Sequence, residues 1–90
     1  MGEEFTGIIS GLATWGIFVE LIENNCEGMI SLNSMSDDHY VFDSEKYQII
    51  GKRKGSSFSI GEQLVVRMVR GDLLNKQIDF EFVDFAVKEL

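Results

Sequence analysis

The segment IFVELI, Ile17 to Ile22, alternates apolar and polar positions. This places Ile17, Val19 and Leu21 on one face of a strand and Phe18 and Glu20 on the other. The same period of two recurs along the chain. In FTGIISGL, residues 5–12, Phe5, Gly7 and Ile9 share a face. In EGMISL, residues 27–32, Ile30 and Leu32 point inward and Met29 and Ser31 outward. After Gly61, Leu64, Val66 and Met68 alternate with Val65 and Arg67. In KQIDFEFV, residues 76–83, Ile78, Phe80 and Phe82 share a face. Polar or glycine-bearing turns separate these runs at Thr14-Trp15-Gly16, Glu23-Asn24-Asn25 and Gly71-Asp72. Strands joined by short turns, with no long stretch of helical period, predict an all-β barrel or sandwich. The chain has no proline and 9 glycines, which suits a sheet that bends at glycines.

The stretch between the third and fourth of these strands is less regular. Residues 33–36 predict a short helical turn that plugs one end of a barrel. Residues 37–60 predict a hairpin-like insertion: a strand at 47–51, a polar tip at 52–57 and a short strand around Phe58 and Ile60. Residues 84–90 fit a short helix or a frayed end. Ninety residues make one domain, because so short a chain cannot divide its apolar residues between two cores.

Composition narrows the class. At 44% hydrophobic, 11% aromatic and 26% charged, the chain is too apolar for disorder. No apolar run approaches the roughly 20 residues that cross a bilayer. The start, Met1-Gly2-Glu3-Glu4-Phe5, lacks the basic and apolar stretches of an export signal. With a single cysteine, Cys26, the expected compartment is the cytoplasm, without membrane association. His39 is the sole histidine, and no nucleophile–base pair or zinc ligand set accompanies it or Cys26. The chain by itself is therefore expected to be neither an enzyme nor a metal protein. Asp37-Asp38 and Asp43 with Glu45 suit turn caps or a weak cation contact.

The order Phe5-x-Gly7-x-Ile9, Trp15-Gly16-Ile17-Phe18-Val19, Glu27-Gly28-Met29-Ile30, Gly61-Glu62-x-Leu64-x-Val66-x-Met68, Asp72 and Gln77-Ile78-Asp79-Phe80-Glu81 resembles the S-one domain, an RNA-binding repeat named after a ribosomal protein. The insertion, Met35-x-Asp37-Asp38-x-Tyr40-x-Phe42-Asp43 and then Ile50-Gly51-x-Arg53-x-Gly55-x-x-Phe58-x-Ile60-Gly61, is similar to that of ribonuclease R-type exoribonucleases. The resemblance implies a five-stranded antiparallel OB barrel, 4–36 and 61–83, whose second and third strands form the binding face. It implies a fragment of a larger 3′→5′ exoribonuclease. Its partners would be single-stranded RNA and the catalytic domain of the same polypeptide, which would use magnesium. The fragment itself would carry no cofactor and act as a monomer.

Two aromatics fit a binding role from their positions alone. Phe18 falls on the outward face, and Trp15 sits at the turn before it, where a bulge at Gly16 would bring the indole onto that face; either ring could instead close the barrel end. The resemblance assigns both to base stacking, worth about 1–3 kcal/mol per base. It aligns Ser31 with a position where many S-one domains carry histidine, so hydrogen bonding survives there but stacking does not. It also pairs Asp72 with Lys76 beside the nucleic acid, although Asp72 suits a turn cap as well. Lys52-Arg53-Lys54 is a solvated loop tip, a phosphate contact or a dock onto the catalytic domain.

The net charge of −7 opposes a simple electrostatic mode of binding, because displaced counterions usually supply much of the affinity for phosphates. Either stacking carries the binding or a larger partner supplies positive charge. The alternative function is a protein-docking module with little RNA affinity of its own.

Overall fold

The computed structural model describes residues 3–23, 25–72 and 77–86. Strands β1 (Glu4–Ala13), β2 (Gly16–Leu21), β3 (Glu27–Ser31), β7 (Gln63–Asp72) and β8 (Gln77–Phe85) close into a barrel in the order β1-β2-β3-β8-β7. Four of the five pairings are antiparallel. The fifth is not: β3 and β8 run parallel, with Met29 opposite Asp79 and Ile30 opposite Phe80. The expected antiparallel barrel is thus a mixed one. A single parallel pair lets two strands far apart in sequence meet without a hairpin between them.

The barrel interior follows from the alternation. Ile9, Ile17, Val19, Ile30, Leu64 and Val66 are fully buried, with Leu21 and Phe80 nearly so. Where strict alternation fails, bulges account for it. Register shifts between Ile9 and Gly11, so Ser10 stays outside while Ile9 and Leu12 both point inward. In β7, a shift between Met68 and Arg70 leaves Val69 and Arg70 both exposed.

A 3₁₀ turn, Leu32–Ser34, follows β3, one residue earlier than its polar composition predicts. The insertion holds more than a hairpin. Strands β4 (Tyr40–Asp43), β5 (Gln48–Gly51) and β6 (Ser57–Phe58) form a separate three-stranded antiparallel sheet. Tyr47, expected in a strand, instead occupies a turn with φ of 53°. Phe58 carries no exposed surface and joins this sheet to the barrel. Its ring stacks on Phe85 at 5.2 Å and meets Phe82 and Tyr40 edge-on at 5.1 and 5.8 Å. Strand β8 extends to Phe85, so the helix or frayed end expected from residue 84 does not begin there, and the rest of that expectation, residues 87–90, lies outside the described residues.

An acidic clamp organises the base of the insertion. The Asp38 side chain has no exposed surface and accepts backbone hydrogen bonds from His39, Arg53 and Lys54 at 2.6, 2.9 and 2.8 Å. Burial alone would raise its carboxyl pKa. The three backbone N–H groups and the Arg53 guanidinium outweigh that and hold it below the ordinary carboxylate value. The neighbouring Asp37 carboxylate accepts from the Tyr40 hydroxyl at 3.1 Å. Burial, that hydrogen bond and the negative charge push the Tyr40 phenol up to about 12.

Candidate nucleic-acid interface

The outward face of β2, β3 and β8 carries a row of side chains set by register. Phe18 on β2 lies opposite Met29 on β3, Met29 opposite Asp79 on β8, and Asp79 opposite Arg70 on β7. On the other side Phe18 faces Gly11 of β1, where even an added Cβ would stand 3.5 Å from the ring. Adjacent strands are about 4.8 Å apart. The row therefore presents an aromatic ring, a thioether, a carboxylate and a guanidinium at successive strand spacings.

Trp15 stands at one end of this row. It is 56% exposed and meets Phe18 edge-to-face, with centroids 5.6 Å apart and planes at 82°. Its carbonyl accepts from Leu32 N–H at 3.1 Å, which ties the β1–β2 turn to the end of β3. No bulge occurs at Gly16, which pairs regularly with Ala13 and Ser31; the irregularity in this pair lies at Ser10. Gly16 serves instead by its small size, because a Cβ there would come 2.9 Å from the Met29 sulfur. Phe18 is half-buried but stands apart from the core cluster, as the alternation of β2 requires.

Two adjoining hollows mark the face. One, of about 300 Å³, is lined by Trp15, Phe18, Glu27, Gly28, Met29, Ile78 and Asp79. The other, of about 590 Å³, includes Ser31, Ser34, Val69 and Glu81 and shares Met29 and Asp79 with the first. Ser31 is already engaged: its hydroxyl accepts from Asn33 N–H at 3.3 Å and its carbonyl from the Ser34 hydroxyl at 2.7 Å. Period-two alternation marks the inward face of β8, so the groove's acids, Glu27, Asp79 and Glu81, carry no signal of their own in the sequence. Asp72 ends β7, and its side chain and Lys76 lie outside the described residues.

The basic tip stands apart from this face and shares no lining residue with either hollow. Lys54 Nζ lies 3.4 Å from Asp37 Oδ2, and Arg53 donates to the Asp37 carbonyl at 2.9 Å and approaches Asp38 at 3.8 Å. Only Lys52 of the three makes no ion pair among the described residues. Replacing Lys52, Arg53 and Lys54 together with alanine is therefore expected to leave RNA affinity and its salt dependence unchanged in this chain. Binding measured across a salt series checks this. Three phosphate contacts at the tip would instead flatten the logarithmic slope by about 2.

A closed five-stranded barrel of this order, with an outer face on its second and third strands, defines an OB fold. The family model for the S1 RNA binding domain matches residues 1–81, and the chain belongs to that family. Ribonuclease R of Aquifex aeolicus is 40% identical over 84 residues, covering 93% of this chain and 12% of that protein. Ribonuclease R of Thermotoga maritima is 34% identical over equal shares. RNase R of Mycoplasma genitalium, solved in complex with ribose methylated single-stranded RNA, superposes with a TM-score of 0.84 at 29% identity, over 92% of this chain and 13% of that one. The chain spans about a tenth of the length of the curated relatives it matches.

Proposed function

We propose that the β2–β3–β8 face holds single-stranded RNA by stacking bases on Trp15 and Phe18, and that the domain serves a ribonuclease R-like 3′→5′ exoribonuclease by holding RNA and feeding it to the catalytic domain. The observation that carries this reading is the exposed indole packed edge-on against Phe18 at the mouth of a groove, in a chain similar to ribonuclease R. Stacking tolerates any base, since every base has a π-face. Glu27, Asp79 and Glu81 line the groove, so phosphate attraction contributes little there, and binding should be weak, near the 10⁻⁴–10⁻⁶ M typical of non-specific association.

The indole reports on its own site. Adding single-stranded RNA is expected to change Trp15 fluorescence with the midpoint of an independent binding curve. Trp15→Ala and Phe18→Ala should each lose about 1–3 kcal/mol of binding, the usual cost of a stacked base. Flat fluorescence during demonstrable binding would move the site elsewhere. A second reading, a protein-docking module, draws support from the ion pairs that occupy the basic tip. It is favoured if no RNA binds.

A further inference from the structure

Three carboxylates line the groove, and their surroundings differ. Glu27 accepts a hydrogen bond from the Ser10 hydroxyl at 2.9 Å. Glu81 accepts from Arg67 at 3.2 Å, and the same guanidinium also holds Glu4. Among the described residues the ion-pair partner of Asp79 is Arg70, whose Nε stands 3.9 Å away, beyond hydrogen-bonding distance, and both side chains are at least half exposed. Asp79 is also the one acid common to both hollows, and it lies beside Met29 in the row that begins at Phe18.

We propose that Asp79 reads the Watson–Crick edge of a base lying along the Phe18–Met29 row and selects guanine at that position. This rests on the groove being a single-stranded RNA site and adds one base preference to otherwise sequence-tolerant stacking. An ionised carboxylate only accepts, and its two oxygens can take two parallel donors. Guanine offers N1–H and the exocyclic N2–H side by side. Uracil offers one donor between two carbonyl oxygens, which face a carboxylate unfavourably. Adenine and cytosine each place a ring-nitrogen acceptor beside their amino group.

The test compares three short oligomers on the chain: oligouridine, the same oligomer with one central guanosine, and the same with inosine replacing that guanosine. Inosine keeps the purine ring but lacks the exocyclic amine. The guanosine oligomer is expected to bind about tenfold tighter than the other two, within the range of one bidentate base contact. Asp79→Asn and Asp79→Ala should abolish this preference, so that the guanosine and inosine oligomers bind each variant with one affinity, with melting curves confirming that both variants are folded.

Equal wild-type affinities for guanosine and inosine oligomers would overturn the proposal while leaving the stacking site intact. So would an Asp79→Asn variant that binds all three oligomers tighter by one common factor, because the acid would then act only as a repulsive charge. If none of the three binds, the inference and the RNA-binding reading fall together.

Discussion

Phe58→Ala is expected to lower the stability of the domain by about 3–5 kcal/mol, the usual cost of emptying a buried phenylalanine site. For a domain of this size that corresponds to a fall in melting temperature of more than about 10 °C. The ring is fully enclosed, and its neighbours Tyr40, Phe82 and Phe85 come from both the insertion and β8. Collapse around the cavity would require the inserted sheet to shift against the barrel, so the site cannot readily refill. Phe18→Ala offers the contrast: that ring lies outside the core cluster, and its loss should leave melting nearly unchanged while weakening binding. Thermal unfolding of the two variants side by side checks both. A Phe58 variant melting like the wild type would mean that the insertion folds independently of β8.

The second large effect is expected at Gly28. A Cβ there would stand 2.5 Å from Phe80 Cε2 and 2.7 Å from the Ile78 carbonyl oxygen. A side chain can turn aside, but the Ile78 carbonyl belongs to the backbone of β8, so Gly28→Ala must push β3 and β8 apart. Overpacking of this kind costs about 1–3 kcal/mol, occasionally more. Because Met29 and Asp79 face each other across the same seam, the substitution should also blunt the fluorescence response to RNA. Gly11→Ala is the control, since its Cβ would make only ordinary contact with Phe18. Urea denaturation should show a lowered midpoint with an unchanged slope for Gly28→Ala and little change for Gly11→Ala. Equal midpoints would show that the seam yields more easily than its backbone contact implies.

The barrel was legible where one face is buried and the other wet, because burial imposes a period of two on the residues themselves. Strand β2 is the clearest case, and its inward and outward residues follow directly from IFVELI. Strand β4 escaped because YVFD buries Tyr40 while its other three residues are all half-buried, which leaves no alternation to read. Tyr47 escaped because nothing in a tyrosine announces a positive φ. The parallel seam escaped because periodicity reports which face is buried and says nothing of which strand lies alongside. In the site, Trp15 and Phe18 could be proposed from local sequence. The neutralisation of Lys54 and Arg53 by Asp37 and Asp38 could not, since it depends on folding the tip back onto residues well before it. Asp79 was hidden in plain view between the inward Ile78 and Phe80.

The parallel seam also sets an order of assembly. Strands β1, β2 and β3 can pair through adjacent hairpins, and these local closures are entropically easy. The contact between Met29 and Asp79 cannot form until the whole insertion and β7 have been laid down, because β8 arrives last in the chain. Such non-local pairings are the slow steps of β-rich folding. During synthesis the part of the groove built by Trp15, Phe18 and Glu27 would thus be present before Asp79 and Glu81, and a chain stalled ahead of β8 would display Trp15 and Phe18 on an open sheet with an unpaired edge. Completion of the groove is in this sense a report that the entire domain has folded.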